Sequence, residues 1–257
     1  MSTAFRLEPW PYPRWIAHRG AGKLAPENTL AAFRVGAAHG YRMFECDAKL
    51  SGDGVPFLLH DATLERTTSA RGQAAEWTWA ELSRLDAGGW HSRSYAGEPP
   101  PTLEAVVRFV LRNGHALNIE IKPSPGAEAL TGQAVAEHCR RWWSATPGAV
   151  PPLLTSFKPA ALRAARAAAP ELPRGLLLDH WWEGWWDEAQ ALDCSAVVAH
   201  FGMLDAAAVE GLRAAGMRCL AYTVNDACEA DRLLQAGVDG LITDAVDRFA
   251  PGEGLLD

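Results

Sequence analysis

Apolar residues recur along the chain in short runs, and the segments between those runs switch to helical spacing. Trp15-Ile16-Ala17, Met43-Phe44 and Phe57-Leu58-Leu59 are the first three runs. Being short and bounded by Gly and Pro, they read as buried strands. After Pro26-Glu27-Asn28-Thr29, the residues Leu30, Phe33 and Ala37 repeat at helical period until Gly40 stops them, with Asn28 or Thr29 as the N-cap. Ser51-Gly52-Asp53-Gly54 is a tight turn leading into Val55–Leu59. From about Asp61 to Pro101 the rhythm breaks into Thr67-Thr68, Gly72, a short helix at Thr78–Leu85, Gly88-Gly89 and Pro99-Pro100-Pro101. A connection of that length without strands reads as an insertion lying over one end of the main fold.

From Thr102 onward the alternation is regular. Helices are expected at Thr102–Leu111, Glu128–Trp143, Pro159–Ala168, Trp185–Leu192, Asp205–Ala215 and Ala227–Gln235, the last ended by Gly237. Strands are expected at Ala116–Ile121, Leu153–Ser156, Gly175–Leu178, Ala196–Ala199, Arg218–Tyr222 and Gly240–Thr243. Strand followed by helix, repeated along the chain, calls for parallel strands with right-handed crossovers. About eight such units close an α/β (β/α)8 TIM barrel. The chain is therefore read as one barrel domain over residues 1–257, with the insertion at about 61–101. A dinucleotide fold is disfavoured because no G-x-G-x-x-G follows the first strand.

Composition narrows the function classes. With 48% hydrophobic residues, the 257-residue chain can bury a sizeable core. A net charge of -7 offers no basic surplus for phosphate backbones, so nucleic acid is not an expected partner. Five scattered cysteines, with no C-x-x-C pair, fit reduced thiols and give no zinc spacing. The opening MSTAFRLEPWPYPR lacks the apolar core of a signal peptide, and no run reaches the ~18 apolar residues of a membrane span. A cytoplasmic protein without stable membrane association is the expectation.

The chemistry sits where the strands end. The early runs lead into His18-Arg19, into Glu45-x-Asp47 and into His60-Asp61, and Ala116–Ile119 delivers Glu120 and Lys122. Ionisable groups are rarely buried unpartnered, so strands that all end in charge form either an ion-pair network or a built site. In a barrel of this kind the C-terminal strand ends form the active face. Side chains two apart on a strand share a face, which pairs Glu45 with Asp47 and Glu120 with Lys122. Three converging carboxylates without cysteine make a hard oxygen cage suited to Mg2+ or Ca2+. His18 and His60, with ordinary pKa values of ~6.5, can share general acid and base work near neutrality. Arg19 and Lys122 bring fixed positive charge, Arg being suited to bidentate phosphate contact. Together these groups describe a device for cleaving phosphate esters.

The set His18-Arg19-Gly20, Pro26-Glu27-Asn28-Thr29, Glu45-x-Asp47, Asp53-Gly54, His60-Asp61, Glu120-Ile121-Lys122 and Thr243-Asp244 resembles the glycerophosphodiester phosphodiesterases. The resemblance spans nearly the whole chain. It is nearest the cytosolic bacterial branch, with which the chain shares GKLAPENTLAA, NIEIKP, APELPRGLLLD and YTVN. It implies a (β/α)8 barrel, a divalent metal (Mg2+ or Ca2+) held by Glu45, Asp47 and Glu120, catalysis by His18 and His60, and phosphate binding by Arg19 and Lys122. The implied reaction is hydrolysis of a small-molecule glycerophosphodiester, such as glycerophosphocholine or glycerophosphoethanolamine, to sn-glycerol 3-phosphate and an alcohol. Many family members carry Trp where this chain has Tyr222, which keeps an aromatic wall for the glycerol moiety and adds a hydroxyl. Val246 replaces the frequent Pro after Thr-Asp.

Two other readings compete. A lysophospholipase D-like or other lipid phosphodiesterase would need an apolar rim, for which Trp181, Trp182, Trp185 and Trp186 are the candidates. A non-catalytic phosphate-ester binding barrel would have lost turnover, against which the complete set of proton-transfer residues speaks. For the tryptophans, the favoured alternative is helix packing, since Trp182, Trp185, Trp186 and Ala189 fit i, i+3, i+4, i+7. His39, His91, His115, His138, His180 and His200 read as surface or structural, and Lys23 and Lys158 as solvated. Asp53 serves its turn, Ser156-Phe157 is placed to line the pocket, and Asn225 to reach the rim.

Overall fold

The computed structural model describes residues 9–249 and residue 251. The expected absence of a signal-peptide core falls largely on residues 1–8, outside that range. Nine strands are described: β1 (Trp15–Ala17), β2 (Met43–Leu50), β3 (Pro56–Leu58), β4 (Ala116–Ile121), β5 (Leu153–Ser156), β6 (Arg174–Leu178), β7 (Ala196–His200), β8 (Arg218–Tyr222) and β9 (Gly240–Thr243). Eight of them run parallel in the order β1-β9-β8-β7-β6-β5-β4-β2, and β1 also pairs with β2, which closes the barrel. The helices α1 (Leu30–Ala38), α3 (Leu103–Arg112), α4 (Glu128–Ser144), α5 (Pro159–Ala168), α6 (Trp185–Ala191), α7 (Ala206–Ala214) and α8 (Ala227–Ala236) link successive barrel strands. A short α2 (Trp79–Leu82) lies in the excursion between β3 and α3. The eight-stranded (β/α) barrel expected from the alternation is the fold. Among the described residues, no helix is long and apolar enough to cross a membrane.

The run that bears His60 differs from expectation, because β3 is not a barrel strand. It pairs antiparallel with the end of β2, Ala48 opposite Leu58 and Leu50 opposite Pro56. The cause is the linker: the few residues of Ser51-Gly52-Asp53-Gly54-Val55 permit a hairpin, whereas a parallel return needs a crossover of a dozen or more residues. At eight residues, β2 projects beyond the rim, and β3 brings the chain back down to it. His60 thus reaches the same rim from above. Asp53 does serve this turn, accepting from Ser51 Oγ at 2.6 Å and from the Trp79 amide at 2.8 Å.

Alternation along the strands sorts the core into two layers. Ile16, Met43, Ala116, Leu153, Leu177, Val198, Leu220 and Ile242 cluster as the lower barrel interior, with Trp10 and Tyr12 packed beneath. The opposite strand faces, among them Phe44, Leu117, Ile119, Leu154, Leu176 and Val197, pack on helix residues such as Phe33, Val106, Val135 and Leu162. Each such aliphatic side chain contributes ~1.5–3 kcal/mol by leaving water. The excursion keeps a small core of its own from Phe57, Leu59, Leu64, Ala74 and Leu82. Above the apolar floor the inward positions turn polar, at Glu45, Asp47, Asn118, Glu120 and Thr155. That change marks the candidate active end.

Candidate active site

At the end of β1 the chain turns sharply through His18-Arg19-Gly20, with Arg19 at φ 50° and Gly20 at φ 99°. Gly22 follows at φ 55°, and a Cβ there would come within 2.1 Å of the Asp244 carbonyl oxygen. Glycine is needed to seat this loop against the β9 terminus. The Pro26-Glu27-Asn28-Thr29 segment then divides its tasks. Thr29 Oγ1 caps α1 by accepting from the Ala32 amide at 3.2 Å. That frees Asn28, which donates to Asp47 Oδ2 at 2.7 Å and accepts from the Asp47 amide at 3.0 Å. Glu27 accepts from Arg19 Nη1 at 2.8 Å and from both Arg66 Nη atoms, at 2.7 and 2.8 Å.

Glu45, Asp47 and Glu120 are buried, and each offers a ligand oxygen within 4.8 Å of the others. Burial, with the charges of Asp47 and Glu120, pushes Glu45 well above the ordinary carboxylate range. Burial and Asp47 push Glu120 up to about 7, although Lys122 Nζ lies 2.7 Å from its Oε1. Burial acts on Asp47 in the same direction, but Arg19, Lys122, His60 and the Asn28 amide outweigh it and pull it down to about 2. Asp47 Oδ1 is buried without a hydrogen-bond partner, and Lys122 Nζ stands off at 3.7 Å. Three buried carboxylates that repel one another, one with an unfilled oxygen, fit a hard divalent cation.

Two histidines flank this cluster, each held by a carboxylate. His18 Nδ1 lies 2.6 Å from Asp244 Oδ1, and His60 Nδ1 lies 2.6 Å from Asp61 Oδ1. Burial opposes ionisation of Asp244, but the His18 and Asn225 contacts hold it below its ordinary range; Arg66 and His60 hold Asp61 at about 2. An ionised carboxylate only accepts, so each Nδ1 carries the hydrogen and each Nε2 is turned to the site. His18 Nε2 is 3.8 Å from Glu45 Oε2. Burial pushes the His60 pKa below its ordinary value; Asp47 counteracts this, while Arg19 and Lys122 add to it.

Two adjoining cavities open at this rim. The inner one, about 190 Å³, is lined by His18, Arg19, Glu45, His60, Asn118, Glu120, Lys122, Thr155, Phe157, Leu177, Tyr222, Thr223 and Ile242. The outer one, about 630 Å³, shares His60, Glu120, Lys122, Phe157 and Leu177 with it and extends to Lys49, Asp61, Ser156, Lys158, Asp179, His180 and Trp182. Tyr222 donates its hydroxyl to the Leu178 carbonyl at 3.0 Å, which leaves its ring as a wall.

Seven of the eight residues singled out from the sequence line the inner cavity, and the eighth, Asp47, lies buried against them. Ser156-Phe157 lines the outer cavity as expected. Asn225 acts one step back, donating to Asp244 Oδ2 at 3.2 Å and accepting from the Asp244 amide at 2.8 Å. Sequence reasoning missed Lys49, although Glu45, Asp47 and Lys49 stand two apart on one strand face. It also left His180 out of the pocket. The tryptophan face divides: α6 begins only at Trp185, after Gly184 at φ 83°. Trp185, Trp186 and Ala189 pack on the barrel, while Trp182, in the loop, also lines the outer cavity, and Trp181 is 40% exposed.

The chain matches the glycerophosphoryl diester phosphodiesterase family over residues 18–248. A glycerophosphodiester phosphodiesterase of Caldanaerobacter subterraneus is 33% identical over 233 residues, 89% of this chain and 93% of its own length. Among solved structures, an Oleispira antarctica phosphodiesterase in complex with the product sn-glycerol 3-phosphate superposes with a TM-score of 0.87 at 37% identity, covering 92% of this chain and 95% of its own. A glycerophosphoryl diester phosphodiesterase from Silicibacter pomeroyi gives 0.81 at 27% identity over 92% and 91%. With its barrel, its rim and these relatives taken together, the chain belongs to the glycerophosphoryl diester phosphodiesterase family of enzymes.

Proposed function

We infer that the barrel hydrolyses small-molecule glycerophosphodiesters, such as glycerophosphocholine and glycerophosphoethanolamine, to sn-glycerol 3-phosphate and the free alcohol. The observation that carries this reading is the pair of carboxylate-held histidines facing one cavity beside a buried three-carboxylate cluster. The Oleispira relative's complex with sn-glycerol 3-phosphate supports that product, and the inner cavity, lined by Arg19 and Lys122, is the seat we assign to the glycerophosphate half. Glu45, Asp47 and Glu120 would hold a divalent cation, Mg2+ or Ca2+, which when bound offsets charge on the phosphoryl oxygens.

Arg19 and Lys122 hold the phosphate from the inner wall, and the Tyr222 ring packs against the glycerol. His18 lines the inner cavity alone, whereas His60 lines both. That difference supports His18 taking the proton of the attacking oxygen at Nε2, while His60 protonates the departing alcohol oxygen as the phosphorus–oxygen bond breaks. Asp244 and Asp61 fix the two rings and their tautomers.

The test is coupled detection of sn-glycerol 3-phosphate with His18→Ala and His60→Ala. Each is expected to lower kcat by ~10²–10⁴-fold. A loss under tenfold for either variant overturns its assignment.

A further inference from the structure

The outer cavity is larger than the inner one and extends beyond the residues assigned to the glycerophosphate. Its lining carries three lysines, Lys49, Lys122 and Lys158, and three carboxylates, Asp61, Glu120 and Asp179. Most of these charges are matched nearby. Lys122 lies 2.7 Å from Glu120, Asp61 lies 2.6 Å from both Arg66 and His60, and Asp179 lies 2.6 Å from His180. Among the described residues, Lys49 and Lys158 have no carboxylate within ion-pair distance. Lys49 and Lys158 are therefore the lining amines whose donors no ion pair takes up, although Lys49 also feels the charges of Asp47, Asp61 and Glu120.

Lys49 is the informative one. It stands on the part of β2 that projects beyond the rim, and it is 1% exposed. Its Nζ donates to the Lys122 carbonyl at 2.9 Å, its one hydrogen-bond partner among the described residues. An ammonium has three donors. Burial pushes the Lys49 pKa down to about 8, and in either protonation state a buried amine keeps donors that an acceptor in the cavity can take. The aromatic side of the cavity is thin by comparison. The Phe157 ring already has Lys122 Nζ over it, 5.6 Å from the centroid, which leaves Trp182 to face the cavity. A quaternary ammonium is recognised by cages of several aromatic faces. Hydroxyl groups are recognised by placed donors and acceptors.

We propose that Lys49 and Lys158 form the donor wall of a leaving-group subsite in the outer cavity, which favours a polyhydroxylated head group such as glycerol or inositol over choline. This rests on glycerophosphodiester hydrolysis at the inner cavity. Lys49 donates to a head-group hydroxyl from the floor and Lys158 from the mouth, while Asp61 and Asp179 supply acceptors. A site built to hydrogen-bond a hydroxyl discriminates strongly against an analogue lacking it, because its own buried groups are then left unpaired.

The experiment compares kcat/KM for glycerophosphoglycerol and glycerophosphocholine, both read as sn-glycerol 3-phosphate release, in wild type, Lys49→Met and Lys158→Met. Wild type is expected to prefer glycerophosphoglycerol. Lys49→Met should lower the ratio about tenfold or more, chiefly by loss on the polyol substrate, and Lys158→Met about threefold. Thermal melting reports whether each variant folds; if Lys49→Met does not, Lys49→Gln and Lys158→Met carry the same comparison. Ratios unchanged by the substitutions, equal losses on both substrates, or a wild-type preference for glycerophosphocholine overturn the subsite. Absence of release from either substrate in wild type overturns the hydrolysis reading, and the subsite falls with it.

Discussion

Replacing Glu45 with Gln separates a built metal site from a mere ion-pair network, because the two make opposite predictions for the metal-free protein. Gln keeps the shape of Glu45 and an oxygen for the Arg19 amide, which donates to Oε2 at 3.0 Å. It removes one of three carboxylates whose oxygens lie within 4.8 Å of one another. At an effective dielectric of 20, two unit charges at that separation repel by ~3 kcal/mol. Glu45 meets two such neighbours, and its attraction to Arg19 and its raised proton affinity offset part of that. The net relief is about 1–3 kcal/mol. For a chain of this size that corresponds to a rise of roughly 3–10 °C in Tm. The assay is calorimetric melting at pH 8 in EDTA, then with Mg2+ or Ca2+. Wild type should gain stability on adding metal, whereas Glu45→Gln should start higher and gain little. If Glu45→Gln melts lower in EDTA and wild type ignores both cations, the carboxylates are serving Arg19 and Lys122 as a structural network, and the reasoning is refuted.

Asn28→Ala removes both hydrogen bonds that orient Asp47, so metal affinity should weaken by ~10–100-fold in isothermal titration; an unchanged Kd would show that Asp47 needs no clamp. The metal-free protein should also lose stability as pH rises from about 4.5 to about 7, the span between the ordinary and the raised Glu120 values. The sign follows from a carboxyl that stays protonated when folded but ionises when unfolded. Bound metal, which needs the ionised ligands, should reverse that slope, and a melting profile flat in both conditions would contradict the coupling.

Much of the barrel was legible because each parallel crossover leaves a local trace: a short apolar run, a cap such as Thr102 or Asp205, and a Gly stop such as Gly237. That these residues meet at one rim was legible because strands ending in His18, Glu45-x-Asp47 and Glu120-x-Lys122 expose their chemistry within two residues. The direction of β3 was less so, since three buried apolar residues look alike in a parallel and an antiparallel strand; only the shortness of the preceding turn distinguishes them. Lys49 was passed over because a lysine past a strand end is ordinarily solvated, and its burial depends on how far β2 outruns the barrel. The partners of Asp47, His18 and Arg66 lie 19, 226 and 39 residues away along the chain, a matter of tertiary register that no local pattern encodes. Trp182 followed helical spacing, yet Gly184 delays the helix and turns that residue toward the cavity as well.

The most direct test of the central claim is sn-glycerol 3-phosphate release from glycerophosphocholine, measured for wild type and Glu45→Ala in EDTA, Mg2+ and Ca2+. Hydrolysis at the Glu45, Asp47 and Glu120 cluster predicts release that EDTA suppresses, that a divalent cation restores, and that Glu45→Ala abolishes under every condition. Release that persists in EDTA, or that survives Glu45→Ala at the wild-type rate, would contradict it.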